Sequence, residues 1–391
     1  MQKFYGDFHI HIGRAGGKAV KITASDQLQL HSILFEDAPR KGLDVIGIVD
    51  SGSLAVSREI EELLEKGDLK ALPRGGFLAK NGVLFIPGCE IESREGIHLI
   101  AYLPDLNSIY KWQAFFQSRV HNMYLSTQRA NAGFIEILNL CLLLDGIFCP
   151  AHAFTPHKGM YGVWTDRLEK EIEYNFTKVK VLELGLSADT DMADRIAETR
   201  AFTFLTNSDA HSSVNIGREY NLLRMADKNF EEFRMCLENR DGRKVEANFG
   251  LHPMLGKYHR SYCPDCDIIF DGPAAVLCCD RCKSDKIVMG VYDRILQIQD
   301  YQTPRHPAGR PPYYYRVPLK GLPGIGPKTS QLLLQVYNEI EVLEELSLDQ
   351  IERLVGQKSA DTIKGMRDNS LQIIPGGGGK YGKVKKNTDR N

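Results

Sequence analysis

The chain has 391 residues, of which 25% are charged and 43% hydrophobic, and its formal net charge is −1. At roughly 100–200 residues per domain this leaves room for two or three domains, and near-neutrality argues against a histone-like polycation. No apolar run reaches the ~18 residues that a membrane span needs; the best, residues 137–144, contains Asn139 and is stopped by Asp145.

The N-terminus, MQKFYGDFHIH, lacks the apolar stretch and small-residue cleavage site of a signal peptide, so a cytoplasmic, nucleoid-associated protein is expected. From there to about residue 250, short apolar runs alternate with helical patterns, the rhythm of an α/β domain with a largely parallel sheet. The runs lie at residues 4–11, 45–50, 83–90, 98–102, 146–152, 179–186 and 203–211. Between them, Thr23-Ala24-Ser25-Asp26 ahead of LQLHSILFEDA reads as a capping box with Asp in its last position, and residues 56–66 read as an amphipathic helix. Five of the seven runs end in a side chain of metal-binding type, namely His11, Asp50, Glu90, His152 and the Asp209/His211 pair; His98 opens another. Ligands gathered at strand C-termini are how barrel-like α/β enzymes build a site.

His9-Ile10-His11 sets two imidazoles on one face of a strand, because side chains alternate with period two. Alone this is as readily a pair of strand-end histidines, but Glu90, His98 in GIHLIAY, His152 in PAHAF and Asp209-Ala210-His211 in TNSDAH extend it. The set resembles the polymerase and histidinol phosphatase family, the PHP metallo-phosphoesterases, over roughly residues 3–250. That resemblance implies a distorted seven-stranded (β/α) barrel with a metal cluster at one mouth. It implies His9, His11, Glu90 and Asp209 as ligands of one metal, with Glu90 bridging to a second held by His98 and His152. His211 would ligate a third position or touch the scissile phosphate. Catalysis is accordingly expected from His9, His11, Glu90, His152, Asp209 and His211. Two departures stand out: Val49-Asp50-Ser51 occupies the place of the family's Thr-Asp-His, and GRAGGK that of an acidic or His residue after HxH. Asp50 can still contribute an oxygen, so two firmly held metals are expected. Mixed His/carboxylate sets suit Zn²⁺ and Mn²⁺, with Mg²⁺ also able to support activity, and the chemistry expected is in-line attack of an activated water on phosphorus.

From about 251 to 300 the chain becomes turn-rich and cysteine-bearing. Cys263-Pro-Asp-Cys266 and Cys279-Asp-Arg-Cys282 are separated by 12 residues, a spacing that predicts a four-thiolate zinc ribbon with no open coordination position and hence a structural role. Cys278 could substitute in the count, though the CxxC rule favours Cys279; Cys89, Cys141, Cys149 and Cys236 lie in apolar contexts and read as core thiols. Residues 301–318 form a Pro/Tyr-rich connector whose prolines forbid a continuous helix.

Residues 319–374 read as compact helices. Leu322-Pro-Gly-Ile-Gly326-Pro-Lys-Thr ahead of SQLLLQVY resembles the helix-hairpin-helix of DNA-repair proteins. There Gly324 and Gly326 would let backbone N–H groups approach a phosphate at a helix N-terminus, and Lys328 would add charge. Val355-Gly356-Gln357-Lys358 looks like a degenerate second hairpin, with Gly356 and Lys358 in the matching places; a bare protein-binding αα-hairpin is the alternative. Residues 375–391, Gly-rich and basic, read as a solvated tail or a phosphate-tracking arm. His157, Lys158 and Arg218 follow metal motifs and are candidate phosphate contacts, each equally readable as a surface residue. Residues 301–391 carry 14 basic against 9 acidic side chains, leaving −6 for the first 300. The surplus thus sits where a polyanion would be met.

A PHP barrel, a zinc ribbon and a helix-hairpin-helix in this order resemble the endonuclease Q family along nearly the whole chain, including the phrases NFGLHPMLGKYH, RPPYYYRVPL and PGGGGKYG. The resemblance implies a nuclease that nicks 5′ of uracil, hypoxanthine, xanthine or an abasic site, leaving 3′-hydroxyl and 5′-phosphate ends, with the lesion extruded from the stack. Damaged single- or double-stranded DNA is the expected partner, with room for a replication sliding clamp and none for a membrane. The competing readings are a phosphatase of small phosphomonoesters, against which residues 251–391 argue, and a non-catalytic DNA-binding scaffold.

Overall fold

The computed structural model describes residues 1–272 and 274–385. All seven apolar runs of the first 250 residues form strands: β1 (Gln2–Ile10), β2 (Val45–Ile48), β3 (Leu84–Glu92), β4 (His98–Tyr102), β5 (Ile147–Pro150), β6 (Val181–Glu183) and β7 (Thr203–Leu205). β1, β2 and β3 pair in parallel, as do β6 and β7. Single bonds carry the ring past the ladders: Ala153 N donates to Glu183 O (2.9 Å), linking β5 to β6, and beyond β7 Ala210 N donates to His9 O (3.1 Å), returning to β1.

The sheet is less parallel than the alternation suggested, because β4 runs against both β3 and β5. Only five residues separate β3 from β4, with Gly96 at φ +83° closing the turn, and so short a link permits only an antiparallel pair. This reversal decides the site. Strand β3 reaches the mouth at Glu90 and ends two residues later at Glu92, so β4 must begin there, and its first residue, His98, paired with Glu92, comes to the same rim.

Phe8, Val49, Ile86, Ile100, Tyr102, Cys149, Val181 and Leu205 fill the inside of the ring. Phe233, on a helix over Phe230–Leu237, stacks on Phe8 with centroids 4.4 Å apart and belongs to the same core. A larger core lies between the strands and the outer helices α1 (Leu54–Glu65), α2 (Leu106–Phe116) and α3 (Phe134–Leu143). Helix α1 covers the stretch read as amphipathic, with the Ser53 side chain accepting from Ala55 N at its start. The capping box read at Thr23–Asp26 is corrected: those residues make tight turns and the helix begins at Leu30, because Ala24 N and Ser25 N are already bonded to Lys21 O and His211 O.

Three further strands extend the sheet beside β1: β8 (Tyr220–Met225), β9 (Lys244–Gly250) and β10 (Tyr313–Tyr315). The last comes from the connector, whose Arg310 also grips the buried Asp194 carboxylate through two bonds of 2.9 and 2.8 Å. Within residues 251–300, the helix over Val291–Ile298 packs its Val291, Ile295 and Ile298 into the barrel's outer core, so the ribbon proper is shorter than the cysteine-bearing stretch. After α4 (Phe230–Leu237) and α5 (Val291–Ile298), the C-terminal helices α6 (Pro327–Leu334), α7 (Leu348–Val355) and α8 (Gln357–Arg367) enclose a separate small core. Buried pairs dock this unit on the barrel: Lys41 Nζ to Glu339 (2.6 Å), and Arg316 to Glu344 (2.5 and 2.8 Å). Of the two readings of the tail, solvated segment or phosphate-tracking arm, the first does not hold for its described part, which is packed: Lys383–Val384 pairs with Ile373–Ile374, and Gly376, Gly379 and Gly382 donate to the carbonyls of Met254, Lys257 and Leu255. Residues 386–391 of that tail lie outside the described residues. Among the described residues, no helix is long and apolar enough to cross a membrane.

Candidate metal centre

The donors at the barrel mouth converge without touching as hydrogen-bond partners should. His9 Nε2 and His11 Nε2 lie 3.3 Å apart. Each stands 3.5 Å from Asp209 Oδ1, and they are 3.5 and 3.6 Å from the two oxygens of Glu90. A tetrahedral ion with ligand bonds of ~2.0–2.1 Å has donor–donor edges of about 3.4 Å, so this spacing is that of a first coordination shell. On the other side Glu90 Oε1 is 3.1 Å from His98 Nδ1 and 3.7 Å from His152 Nε2, which are 3.3 Å from each other. Glu90 Oε1 is buried yet makes no hydrogen bond among the described residues, which is costly unless a cation takes its lone pairs. The donor set therefore fits two metal ions that share Glu90.

The electrostatics agree. Burial would push Glu90 and Asp209 towards protonation, but Lys21 and His98 beside Glu90, and His11 and His9 beside Asp209, hold both well below the carboxylate range. Burial would likewise strip the proton from His9, yet Glu183 and Asp209 hold its pKa well above the usual value. His11 is raised as well, so the two imidazoles of HxH keep positive charge against burial, as a site that attracts cations does. The other two are lowered: burial pushes His98 down, and burial with the neighbouring His11 pushes His211 down to about 4, so the His211 imidazole is neutral at pH 7. Its Nδ1 faces Asp209 O at 3.0 Å, which leaves Nε2 for a ligand.

Backbone strain sits at two of the candidate ligands. His152 (φ +30°) and Asp209 (φ +46°) both adopt left-handed conformations unusual for residues with a side chain. Gly185 makes room for the first, since a Cβ there would lie 2.9 Å from His152 Cβ.

Asp50 is corrected as a metal ligand. Both its oxygens accept from His11 Nδ1 (3.0 and 3.2 Å) and one from Ile12 N (2.6 Å), so it sits behind His11 and aims Nε2 at the centre. Three residues of the site carry no mark in the motifs. Glu183 holds His9 Nδ1 at 3.0 Å and accepts from His152 N at 2.8 Å, orienting two ligands at once. Lys21 Nζ lies 3.3 Å from Glu90 Oε2 and donates to Thr127 Oγ1 (2.7 Å), whose hydroxyl donates to the same Glu90 oxygen (2.7 Å). Glu183 was open to detection as the lone acid in the apolar run at 179–186; Lys21 and Thr127 reach the site only through loop returns.

A pocket of about 640 Å³ opens over the ligands and is walled by Thr155, His157, Lys158, the 185–187 backbone, Lys257 and Tyr258. His157 meets the Tyr258 ring edge-on at 5.1 Å. Lys158 spends part of its charge on Glu92 (2.6 Å). Arg218 is corrected as an open phosphate contact: it is buried, with Nε donating to Ser208 O (2.7 Å) and Nη1 to the Tyr381 hydroxyl (3.3 Å), so it braces the backbone that carries Asp209.

In the ribbon, Cys263, Cys266, Cys279 and Cys282 gather as one group while Cys278 stays outside. The Sγ atoms of Cys263 and Cys282 are 3.6 Å apart and those of Cys266 and Cys279 3.8 Å, the edges that bonds of ~2.3 Å to one tetrahedral zinc would produce. The amides of Cys282 and Arg281 pull the Cys279 thiol down to about 7, while the neighbouring thiols and burial push Cys266 up to about 12, so without an ion the negative charge gathers on Cys279 alone. In the helical unit, Gly324 has φ +84°, Gly326 precedes α6 and Gly356 (φ +86°) precedes α8; a Cβ at Gly324 would lie 3.6 Å from the Lys358 stem. The two glycine loops and the exposed Lys328 and Lys358 thus share one side of the unit. From this side a groove of about 850 Å³ leads past Lys320 and Lys383 to Tyr381 and Arg218.

A family model described as PHP-associated matches residues 189–241, the stretch holding Asp209 and His211. The chain is 38% identical to the uncharacterized protein YqxK of Bacillus subtilis (strain 168), across 98% of this chain and 100% of that one. It is 37% identical to the uncharacterized protein MJ0043 of Methanocaldococcus jannaschii across 60% of this chain and 31% of that one. Among solved structures it is similar to the lesion-specific endonuclease PfuEndoQ of Pyrococcus furiosus, with a TM-score of 0.84, 33% identity, and coverage of 98% of this chain and 96% of that one. A second, with a TM-score of 0.84, 33% identity and coverage of 99% and 97%, is endonuclease Q in complex with a 27-mer duplex substrate with an abasic lesion at the active site.

Proposed function

The chain belongs to the endonuclease Q family, and from that premise we propose that it is a metal-dependent endonuclease that cuts DNA 5′ of uracil, hypoxanthine, xanthine and abasic sites. In this reading it leaves 3′-hydroxyl and 5′-phosphate ends and acts on lesions in duplex or single-stranded DNA. The observation that carries the proposal is the composition of the pocket. Its floor is the ligand set of the barrel, but part of its wall is Lys257 and Tyr258, held from behind by the C-terminal hairpin through Gly379 N and Lys257 O (3.1 Å). A phosphatase of small esters has no need to build its substrate wall from nucleic-acid-handling modules.

His9, His11, Glu90 and Asp209 would hold one ion and Glu90, His98 and His152 the other, most simply zinc given the donor spacing. When bound, two such ions supply a nucleophilic water at neutral pH and neutralise the charge gathering on the phosphate. The chain's own groups set the rest. Asp50 and Glu183 fix the imidazoles before substrate arrives, and the Lys21 ammonium adds a permanent positive charge at the same oxygen cluster. With its ring proton on Nδ1, donated to Asp209 O, His211 leaves Nε2 as a lone pair suited to a cation beside His11 and Asp209, the third position of the cluster. An extruded nucleotide enters between Thr155, His157 and Tyr258, while the helical unit grips the flanking backbone without reading sequence.

End-labelled duplexes bearing one uracil, inosine, xanthine or abasic site, incubated with Mg²⁺, Mn²⁺ or Zn²⁺, test this. A single nick 5′ of each lesion is expected, lost in Asp209→Asn and Glu90→Gln. Folded wild-type protein that nicks no lesion under any metal would overturn it.

A further inference from the structure

The loop after HxH is fastened on both sides to the metal centre. Lys21 N donates to Ile12 O (3.0 Å), Ser126 N to Val20 O (3.0 Å) and Ser25 N to His211 O (2.8 Å). Between these anchors Ala24 N donates to Lys21 O (3.0 Å) and closes a four-residue turn. The first residue of that turn sends its side chain inward, onto Glu90 and Thr127. The second, Ile22, goes the other way: it is 78% exposed and stands on the rim of the pocket that holds His11, Glu90 and Asp209.

An exposed aliphatic on a surface is ordinary in itself. This one differs in where it is held. It crowns a turn bonded to the backbone of a metal-ligand loop, so it cannot drift relative to the reacting centre, and its branched Cβ restricts the side chain to few rotamers. Extruding a nucleotide leaves a gap in the base stack that must be filled or it will close, and an apolar side chain fills it at least desolvation cost. We propose that Ile22 is a wedge that enters the duplex at the lesion and occupies the space vacated by the extruded nucleotide. The proposal rests on the reading of this chain as a lesion endonuclease. It makes Ile22 a positioning residue for double-stranded substrates, with no part in the chemical step.

The test compares single-turnover cleavage of one uracil placed in a duplex and in the same strand alone. Ile22→Ala should slow the duplex reaction by about tenfold or more, because unstacking is no longer compensated, while single-strand cleavage changes by less than about twofold. Ile22→Met, which keeps an apolar tip, should restore the duplex rate. Leu143→Ala, an equally exposed aliphatic that precedes β5 and so lies at the far end of the ring, should change neither. Equal slowing of both substrates, or an unchanged duplex rate, would overturn the wedge. Wild-type protein inactive on both substrates would instead remove the nuclease reading, and the wedge with it.

Discussion

Glu183 shows how much of a metal site is decided one layer behind the ligands. Its carboxylate holds His9 Nδ1 and the amide of His152, so it sets the ring orientation of one candidate ligand and the backbone of another. Removing such a partner typically costs about 10–100-fold in metal affinity or activity. Glu183→Gln keeps the shape but weakens the charge on His9, and we expect a loss within that range in the affinity of the barrel ions, measured by metal titration with a competing chelator, while the ribbon zinc stays bound. Unchanged affinity at both ions would refute the role. The residue scale is also where the sequence was least informative. HxH, Glu90, His98, His152 and DxH were all legible, because strand periodicity places them at one end of a ring. Lys21 was not, since it reaches Glu90 only by a hairpin return at Gly16 and Gly17 that brings the chain back across the mouth. Asp50 was legible as present but not in its orientation, which depends on an amide one strand away, that of Ile12.

The modules differ in how strongly their sequence specified them. Two CxxC pairs at the observed spacing leave little choice but a shared tetrahedral ion, and the four sulfurs gather accordingly. The Gly-rich tail misled, because composition alone cannot show that a glycine is needed for close approach. A Cβ at Gly378 would stand 2.7 Å from the Tyr262 ring, so the glycines that looked like a solvated linker are what lets the tail lie flat on the ribbon. The paired glycine loops of the helical unit carry a measurable claim. Lys328 and Lys358 are exposed beside them on one side, and if each neutralises a phosphate, Lys328→Ala with Lys358→Ala should weaken binding to all duplexes alike and flatten the slope of log K against log salt by about 2. Fluorescence anisotropy over a salt series measures both. A slope equal to that of the wild type would assign this face to something other than DNA.

At the scale of the whole molecule, the net charge of −1 is a cancellation between an acidic barrel and a basic C-terminal end, and the two are locked together by buried ion pairs. Lys41–Glu339 joins barrel to helical unit, Arg310–Asp194 barrel to connector and Arg316–Glu344 connector to helical unit, and breaking one partner of such a pair strands a charge at a cost of about 3–5 kcal/mol. Stability responds to pH at His259, which lies where the chain leaves the barrel for the ribbon. Its ring is only 8% exposed, stacks on Tyr292 at 5.5 Å, and has a buried Nδ1 with no hydrogen-bond partner among the described residues. Burial pushes its pKa from 6.5 down to about 4. Above pH 6.5 both folded and unfolded chains hold it neutral and it contributes nothing. Between 6.5 and about 4 the unfolded chain takes up a proton that the folded one refuses, so folding loses stability progressively, by up to about 3 kcal/mol at the lower limit. His259→Phe keeps the aromatic stack and removes the proton. Urea unfolding of both proteins at pH 7, 5.5 and 4 should therefore give curves whose difference grows as pH falls, with the variant gaining on the wild type. All other titrating groups are common to both and cancel in the comparison, so parallel pH profiles would mean that His259 accepts its proton in place and that the junction opens to water.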